Sequence, residues 1–567
     1  MPSGGPVASY PVTQGTAAQN QPYVQIQPQQ PGANWTPQQI VEGFLTASAS
    51  WGSYPQVVRE YLTPDSQTWN PSWAAYVYKS GPTPTAASFP SGEKKPTTAK
   101  VKIAGVVQAT LFGYGTYSVP SSTAGGPTAT PQTFTLVKVG GQWRIKSPPP
   151  ELLLTSDSFQ NDYQFRNLYF FDPMGRSLVP DPVYVPVPAK PNDLMDGLVN
   201  ELITPPANDW LSSGATMTAF PAKTKVSSVT LDGVTAVVNL TGTAIGKAGT
   251  EAMERVSAQL FSTLSASTAN ASTGQVKSIE VVVNGHQWTP PDNPQNPVQA
   301  KAKWGPAYGK SREFYYVTST GYLTSRDATS KSVSIVKIGT GYSQIAISPD
   351  GTYLAALRGN TLYTGFVASG QLTKRGTGFA SVSWDVDDDL WAVQAGQIVV
   401  FRGTQDVREP LTQVTPVNVI GQFGTVTALQ VAPDGVRVAI VMGGNELTFG
   451  GISLQQPREP KITLSLVQET LPASSKFTAL TWYGPDDVIT LADPGPTVTD
   501  YPVSGGNPQS IQATQNMRTI TASWGQPLVA GLQNGGMMTD ASPTGSWSNP
   551  ISDGDTPVNG ISPIYPG

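Results

Sequence analysis

An eleven-residue stretch that occurs twice in the last half of the chain places the strongest constraint on the fold. Residues 345–355 read IAISPDGTYLA, and residues 429–439 read LQVAPDGVRVA. In each copy a Pro-Asp-Gly turn joins two apolar stretches, which is the pattern of a tight hairpin between strands. More diverged copies surround Trp384, Trp482 and Trp524. An internal repeat of this kind predicts an architecture built from similar small sheets.

The spacing of the copies is typical of a β-propeller. Taken from Ser348 to a sixth copy at Ser562, successive copies lie 36, 48, 50, 41 and 39 residues apart. Periods of about 40–50 residues indicate propeller blades, each of which must stack on its neighbours. The last copy supplies one strand, whereas 314–317 and 333–336 supply strands without the motif. Joining both ends of this region in one blade predicts a closed ring over 312–567, with six blades favoured and five or seven as alternatives.

The start of the chain has the composition of a tether. Residues 1–33 contain no charged side chain, are rich in Gln, Pro, Thr and Ser, and precede Glu42, the first charged residue. Such a segment cannot bury a core, so we expect a flexible linker. The alternative is that part of it lies along a folded domain as an additional strand.

Residues 34–155 are predicted to form an α+β domain. Thr36 to Gln39 read as a capping box with Pro37 at the first helical position, and an apolar stripe with helical spacing follows over 40–45. From Lys100 the apolar residues alternate with period two, and Gly140-Gly141 marks a hairpin turn. Helices followed by a curled antiparallel sheet make up this domain.

A second α+β domain is predicted over 156–290, and a Pro-rich linker over 291–311. The patterns in this domain indicate strands at 168–171, 178–187, 226–231, 234–240 and 276–283, and helices at 193–203 and 250–264. The fold class is therefore two small α+β domains followed by an all-β propeller.

Composition excludes several kinds of chemistry and partner. The chain has no cysteine and one histidine, which excludes disulfides, thiolate zinc sites, cysteine nucleophiles and centres with several histidines. A net charge of −4 argues against nucleic acid. No apolar run approaches the roughly 20 residues that span a bilayer, and the first residues are unlike a signal peptide. Either the protein is cytoplasmic or a leader lies upstream; the uncharged tether favours the leader.

The search for catalytic or metal-binding residues finds no convincing set. His286 follows a predicted strand and is expected to be a partly exposed turn residue. Asp385, Asp387, Asp388 and Asp389 carry oxygens that suit Ca²⁺, but they stand where other repeats carry Pro-Asp-Gly, so a solvated hairpin turn is expected. We therefore predict no catalytic, cofactor-binding or metal-binding residue, and no enzyme.

Aromatic side chains form two groups. Trp384, Trp482 and Trp524 recur at one position of the repeat, so they are expected to pack blade on blade. The stretch from Trp51 to Tyr78 is also rich in aromatic residues, and packing is its preferred role. The alternative is a binding groove, for which the candidate surface residues are Trp69, Trp73 and Tyr76.

Several motifs together resemble one known family. The run from Asn34 to Trp73, with TPQQIV and YLTP…WNP, resembles the N-terminal domain of the actinobacterial LpqB lipoproteins, which is similar to the NTF2-like or cystatin-like fold. Residues 166–172 (RNLYFFD), 178–180 (LVP) and 278–285 (SIEVVVNG) resemble the start and end of a GerMN domain. The SPDG-containing propeller and the final PIYPG complete that family's order of domains.

This resemblance implies a lipoprotein on the outer face of the cytoplasmic membrane. Its expected partner is the extracellular domain of the MtrB sensor histidine kinase, and its expected role is to tune the MtrA–MtrB two-component system. Because the chain has no cysteine, the lipid-bearing residue is expected upstream of Met1. The family pattern supplies no catalytic residues and no cofactor.

Two other functions remain as alternatives. A peptidoglycan- or glycan-binding envelope module is suggested by the GerMN likeness and by the aromatic stretch. A propeller hydrolase requires a converging pair of carboxylates in the central funnel, whereas a funnel lined by apolar or amide side chains argues against it.

Overall fold

The computed structural model describes most of the chain, as three folded units in chain order. The described residues are 28–52, 54–71, 74–92, 95–112, 115–118, 132–186, 191–268, 275–289, 304–307, 311–327, 331–402, 414–421, 424–455, 459–506, 508–541, 543–548, 551–553 and 556–567. Trp73 and residues 1–27 of the predicted tether lie outside them.

The first unit begins with the predicted helix, α1 (Pro37–Ala49). The Thr36 hydroxyl accepts a hydrogen bond from the Gln39 amide at 3.3 Å, and Gln39 Oε1 accepts one from the Thr36 amide at 3.0 Å. This capping box satisfies two amides that would otherwise lack a partner at the helix start. The apolar stripe of α1 is buried: Ile40, Val41, Phe44 and Leu45. The short helix α2 (Pro55–Arg59) and a 3₁₀ turn (Pro64–Ser66) follow.

A curved sheet packs against these helices. Its strands are β1 (Ala75–Pro84), β2 (Thr98–Phe112), β3 (Thr116–Ser118), β4 (Thr133–Val139), β5 (Gln142–Ser147) and β6 (Leu152–Thr155), in the order β5-β4-β2-β1-β6 with β3 beside β2. Gly140 and Gly141 make the β4–β5 turn with φ of 56° and 81°, which confirms the predicted hairpin. The sequence analysis does not anticipate β1, which pairs antiparallel with β2 and parallel with β6.

The second unit combines a two-stranded and a four-stranded sheet with helices. Its elements are α3 (Ser156–Asp162), β7 (Tyr163–Phe171), β8 (Leu178–Pro186), α4 (Pro191–Leu202), α5 (Asp209–Ser212), β9 (Lys225–Asp232), β10 (Thr235–Thr241), a 3₁₀ turn (Ile245–Lys247), α6 (Thr250–Thr268), β11 (Ser278–Val283) and β12 (His286–Gln287). β10 and β11 run parallel, joined through α6, and their buried faces share a core with α4. All predicted elements of this unit are present, whereas α3, α5 and the short strand β12 are not predicted.

Part of the predicted linker at 291–311 packs on the second unit. The Leu178 amide donates to the Gly305 carbonyl at 3.1 Å. The Trp304 ring meets Phe171 edge to face with 6.0 Å between centroids, and the Arg255 guanidinium lies 5.6 Å from the Trp304 ring. Residues 304–307 therefore extend the packed surface of this unit.

The described residues from 311 onward form six mainly antiparallel sheets of three to five strands and one two-stranded sheet. Their strands are β13 (Glu313–Thr318), β14 (Tyr322–Asp327) and β15 (Val333–Lys337); β16 (Gln344–Ile347), β17 (Tyr353–Arg358), β18 (Thr361–Phe366) and β19 (Leu372–Thr377); β20 (Phe379–Trp384), β21 (Leu390–Gln394), β22 (Gln397–Phe401) and β23 (Val414–Pro416); β24 (Asn418–Ile420), β25 (Val426–Val431), β26 (Arg437–Met442), β27 (Glu446–Gln455) and β28 (Glu459–Thr470); β29 (Lys476–Trp482), β30 (Asp487–Asp493), β31 (Thr497–Pro502) and β32 (Gln509–Ile511); and β33 (Met517–Thr521), β34 (Leu528–Leu532) and β35 (Met537–Asp540). A hairpin of β36 (Ser552–Asp553) and β37 (Thr556–Pro557) precedes β38 (Gly560–Ile564).

The two ends of this region meet in one sheet. β38 pairs antiparallel with β13, with Tyr315 opposite Ile564 and Thr318 opposite Gly560. One strand of each sheet contacts its counterpart in the next, in the cycle β38-β16-β20-β25-β29-β33-β38. The predicted closure and the propeller fold are thus confirmed. The number of blades stays a prediction, because several segments of this region lie outside the described residues.

A recurring hydrogen bond links neighbouring inner strands. The inner strands are the six strands of this cycle. At each step, a group at or just after the end of one inner strand forms a hydrogen bond with a group near the end of the next. The pairs are Trp384 Nε1 to Ala346 O at 3.2 Å, Val431 N to Ser383 Oγ at 3.0 Å, Trp482 Nε1 to Gln430 O at 3.0 Å, Ala522 N to Thr481 Oγ1 at 3.0 Å, Tyr565 N to Thr521 Oγ1 at 3.1 Å, and Gly567 N to Ile347 O at 3.1 Å. The repeat tryptophans Trp384 and Trp482 are buried, so their predicted role in packing blade on blade is confirmed.

Two truncations test the importance of this closure. A chain ending at Asn559 loses the partner of β13 and the buried Tyr565 ring, which packs on Phe314 at 5.9 Å between centroids. We expect the calorimetric unfolding midpoint of the propeller to fall by about 10 °C or more. A chain ending at Pro566 loses only Gly567, whose amide donates to Ile347 O at 3.1 Å, and should fall by about 2 °C. Equal midpoints for the two truncations would contradict the role of closure.

Candidate functional site: the channel mouth and the domain junction

The inner strands leave a small cavity at the end of the ring that carries the Pro-Asp-Gly turns. We call it the channel mouth; it has a volume of about 20 Å³, and its lining consists of Gln430, Val431, Pro433, Trp482, Gly484, Ala522, Ser523, Trp524, Tyr565, Pro566 and Gly567. This volume holds about one water molecule. The lining side chains are indole, amide, hydroxyl and apolar groups without a carboxylate, so this cavity offers no acid pair for glycoside hydrolysis.

The aspartates of the repeat turns stabilise those turns. Asp350 Oδ1 accepts from the Thr352 amide at 2.9 Å, and Asp434 Oδ1 accepts from the Val436 amide at 3.0 Å. Asp385 Oδ1 likewise accepts from the Asp387 amide at 2.8 Å. Each carboxylate thus bonds the amide two residues later, which is the geometry of an Asx turn. Within the described part of the chain, no group of three Asp, Glu or His side chains is arranged to hold a metal ion.

The Asp385 turn differs from the prediction in one respect. The turn is present, but Asp385 is buried rather than solvated, because the Trp391 indole covers it and donates to Oδ2 at 2.7 Å. Burial, with Asp389 nearby, raises the pKa of Asp385 to about 7. Asp387 pairs with Arg176 of the second unit, so this turn contributes to a contact between domains.

The second unit and the propeller meet at an apolar interface, which we call the domain junction. Trp210 and Leu211 of α5 are buried against side chains of β26 and β27, including Phe449. At Gly451 the two backbones come so close that an added Cβ would lie 2.0 Å from the Trp210 carbonyl oxygen. The Ser213 hydroxyl also donates to Thr463 Oγ1 at 2.9 Å. The short α5 is therefore a docking element of the second unit.

Asp181 holds α5 in position. This buried carboxylate on β8 accepts hydrogen bonds from the Ala207 amide at 2.7 Å and from Asn208 Nδ2 at 2.6 Å. These bonds fix the loop that leads into α5 at Asp209. Burial raises the pKa of Asp181 to about 6, and hydrogen bonds from Asn208 and Ala207 oppose that rise.

Further carboxyl groups are buried beside the junction. Asp486 Oδ2 accepts from Asn167 of the second unit, and Asp434 pairs with the buried Arg437 at 2.6 Å. Burial raises the pKa of Asp500 to about 7. Asp487 has a pKa well above its usual value, because of burial and then of the neighbouring Asp500. Carboxyl groups that are buried close together tend to stay protonated, because burial and mutual repulsion both disfavour the charged form. The stability of this region should therefore depend on pH.

All three units meet around Tyr184. Its amide donates to Gly115 O of the first unit at 2.9 Å, and its hydroxyl donates to Gly505 O of the propeller at 3.1 Å. The Tyr117 ring lies 5.4 Å from the Tyr184 ring between centroids. An added Cβ on Gly505 would lie 2.4 Å from Tyr117, so the first unit also contacts the propeller directly.

The structure places the predicted surface residues mainly in packing roles. Trp69 is half-buried: it meets Trp51 edge to face at 5.0 Å between centroids, and its indole donates to Pro149 O at 2.6 Å. Tyr76 is half-buried against the same core, and Trp73 lies outside the described residues. The candidate interaction surface therefore stays a prediction. His286 is exposed in β12, directly after the turn that precedes it.

The sequence analysis does not single out the residues that join the units. Asp181 and Tyr184 belong to the strand predicted at 178–187, whose prolines obscure any burial pattern. The start of α5 carries a weak signal, since Asn208 stands at the position before a helix where Asn is favoured. Four helical residues are too few for a periodic pattern to identify Trp210 as buried.

Comparisons with known proteins agree with this order of domains. Three family models match successive parts of the chain. They are "Lipoprotein LpqB, N-terminal domain" over residues 30–160, Germane ("Sporulation and spore germination") over 167–289, and "Lipoprotein LpqB beta-propeller domain" over 322–566. Lipoprotein LpqB of Thermobifida fusca is 27% identical, with 100% of this chain and 96% of that protein aligned. This chain belongs to the LpqB lipoprotein family. The resemblance seen in the motifs is thereby confirmed.

Another relative gives the same result. Lipoprotein LpqB of Streptomyces avermitilis is 27% identical to this LpqB-family chain, over 100% of the chain and 95% of the relative. Among solved structures, one titled as a nidogen/laminin complex aligns with 44% of this chain and 97% of its own, at 9% identity and a TM-score of 0.33. None of the described helices combines the length and the apolarity needed for a membrane crossing.

A single added methyl group tests the domain junction. In the Gly451→Ala variant the new Cβ meets the Trp210 carbonyl, so either the sheet or α5 must move. Overpacking of this kind costs about 1–3 kcal/mol, and we expect faster proteolysis between the second unit and the propeller. Gly249→Ala is the matched control, because nothing lies within 4 Å of its added Cβ. Identical proteolysis rates for both variants would contradict a tight junction.

The buried carboxyl groups predict a pH dependence of stability. A group whose pKa is higher in the folded protein stabilises the fold below its unfolded pKa and loses that contribution as the pH rises through its folded pKa. Asp181 with a pKa of about 6 and Asp500 with one of about 7 therefore predict that the free energy of unfolding falls between pH 4 and about pH 7. Urea titrations across this range measure the decline.

Asp500→Asn identifies the contribution of one group. Because the asparagine side chain does not titrate, the decline between pH 4 and about pH 7 should be smaller in this variant than in the wild type. The exposed Asp232→Asn provides a control with the same change in composition. If Asp500→Asn and Asp232→Asn decline in parallel, Asp500 does not carry the effect.

Proposed function

We propose that this protein is a non-enzymatic envelope lipoprotein that binds the extracellular domain of the MtrB sensor histidine kinase and modulates MtrA–MtrB signalling. In this proposal the native protein is lipid-anchored on the outer face of the cytoplasmic membrane, through a cysteine upstream of Met1. Similarity to proteins named lipoprotein LpqB over the whole chain supports the class of protein. The kinase partner follows from the family resemblance of the motifs.

The domain junction is the observation that carries the proposal. Domain interfaces within a chain usually permit relative motion unless they are large and apolar. Here Trp210, Leu211 and Val179 are buried against the propeller, and Tyr184 touches both other units. A partner would consequently meet surfaces of several domains in a fixed arrangement, which favours specific docking.

Modulation requires more than association. A bound protein shifts a receptor between two states only if it binds those states with different affinity. A tenfold difference in affinity is worth about 1.4 kcal/mol, which is enough to change the ratio of kinase states tenfold. A preassembled set of domains can discriminate between two arrangements of the kinase extracellular domain because its own shape is constrained.

Biolayer interferometry with the kinase extracellular domain tests the partner. We expect a dissociation constant below about 10 µM, and no binding to the extracellular domain of an unrelated sensor kinase. Gly451→Ala, which disturbs the junction, should weaken binding, whereas Gly249→Ala should not. Autophosphorylation of full-length kinase in liposomes, with and without this protein, then tests modulation.

Each measurement can overturn one part of the proposal. Absence of binding at about 50 µM removes the kinase as partner. Binding without any change in autophosphorylation removes modulation but leaves the partner. Equal weakening by Gly451→Ala and Gly249→Ala removes the argument from the fixed arrangement of domains.

A further inference from the structure

The sheet of the first unit is unusually basic for this chain. The adjacent strands β2, β4 and β5 contain the basic residues Lys100, Lys102, Lys138, Arg144 and Lys146 and no Asp or Glu. The whole chain, by contrast, has 34 basic and 38 acidic residues. Positive charge is thus concentrated on one sheet of an acidic protein.

Strand register puts much of this charge on one face. Along β2, Val101 and Ile103 are buried in the core, so Lys100 and Lys102 point outward and are exposed. Thr135, opposite Lys100, belongs to the same outward face of β4. Val137 is two residues further along β4 and therefore faces outward as well. Its partner on β5 is Arg144, which lies on the same face. We call this surface the basic face.

Apolar side chains accompany these cations. Val106 on β2 is 43% exposed and Val139 on β4 is 40% exposed. Both continue the outward alternation of their strands. Lysine amines that project beyond exposed valines suit the boundary between lipid headgroups and the first methylene groups.

Two acidic residues among those that the structure describes lie at the border of this face. Residues 61–63 run beside β5, with Thr63 N donating to Ile145 O at 2.9 Å. Glu60 and Asp65 flank that segment, and Glu60 accepts a hydrogen bond from Gln30 at 3.1 Å. The strands that form the basic face themselves contain no carboxylate.

The difference in charge between the first unit and the propeller would orient the molecule at a negatively charged surface. Residues 30–160 contain nine basic and six acidic residues, whereas 312–567 contain 14 basic and 20 acidic residues. A molecule with this asymmetry turns its first unit toward a negative surface and its propeller away from it. Charge therefore favours a single orientation at such a surface.

The described end of the tether, residues 28–33, leads through Asn34 to β5, the strand at the edge of the sheet that carries the basic face. The Asn34 amide donates to Gln142 Oε1 of β5 at 2.7 Å, and the Tyr61 hydroxyl donates to Gln29 O at 2.7 Å. The contacts of the first unit with the other domains lie instead near Gly115 and Tyr117, beside β3. The sheet edge at β5 and the domain contacts are thus on different sides of this unit.

We propose that the basic face lies on the anionic phospholipid headgroups of the membrane that holds the lipid anchor. Lysines are point charges without the fixed fork of arginine, so a spread of them on a sheet suits a dense layer of phosphates better than one shaped partner site. This inference rests on the envelope location in the proposed function, but it does not require the kinase. Contact with the membrane would set the height and direction of the propeller.

Vesicle sedimentation with the protein lacking any lipid anchor tests the proposal. We expect binding to vesicles with about 30% phosphatidylglycerol at about 50 mM salt, little binding to pure phosphatidylcholine, and release at about 500 mM salt. Lys100→Gln with Lys102→Gln should weaken binding about 30-fold. The control pair Lys225→Gln with Lys247→Gln removes the same charge from exposed sites on the second unit and should change binding less than twofold.

Other variants and surfaces complete the experiment. Lys100→Arg with Lys102→Arg keeps the charge and should keep binding, which separates charge from any effect on folding. Equal binding to neutral vesicles, equal weakening by both glutamine pairs, or tighter binding to purified cell wall than to vesicles would overturn the proposal. Kinase binding should be unchanged in the Lys100→Gln, Lys102→Gln variant, so failure of one proposal is distinguishable from failure of the other.

Discussion

The pairing of β38 with β13 is the contact on which the propeller depends. Each sheet packs its apolar faces mainly against the neighbouring sheets of the ring, so the sheets stabilise one another while the ring is complete. Tyr315 and Ile564, which face each other in this pair, are separated by most of the domain in sequence. Closing so long a loop costs entropy that the interfaces between the sheets offset together. The hydrogen bonds between inner strands, from Trp384 to Gly567, show how the same contact is repeated to do so.

The closed ring in turn provides the surface on which the other domains assemble. The second unit presents α5 to the face of β27, and Asp181 fixes the loop that positions it. Tyr184 then connects this pair to the first unit. A polar network with Asp486 and Asn167 lies beside the apolar contacts. Because these contacts are mostly buried and specific, the three domains have few ways of fitting together, and the surfaces they offer to a partner are correspondingly fixed.

Local signals in the sequence predict local structure well here, and contacts between distant segments much less. The Thr36–Gln39 capping box and the Gly140-Gly141 turn depend on neighbouring residues, and the structure has both. By contrast β1 pairs in parallel with β6, which follows some seventy residues later, and no nearby pattern records such a partner. Burial of Asp385 depends on Trp391 folding over it, so a turn that looks solvated in sequence is covered. Trp69 packs against Trp51, which is the role preferred for the aromatic stretch, while its role as a candidate surface residue stays a prediction. Trp210 is missed because its helix has only four residues.

The position of β38 also affects how the protein is made. β13 is synthesised more than 240 residues before its partner, and ribosomes add about 5–20 residues each second. The edge of β13 therefore stays open for roughly 10–50 seconds during synthesis. Over that time it can pair with strands of other unfinished chains, so any factor that shields the nascent domain until its last residues arrive would reduce such pairing.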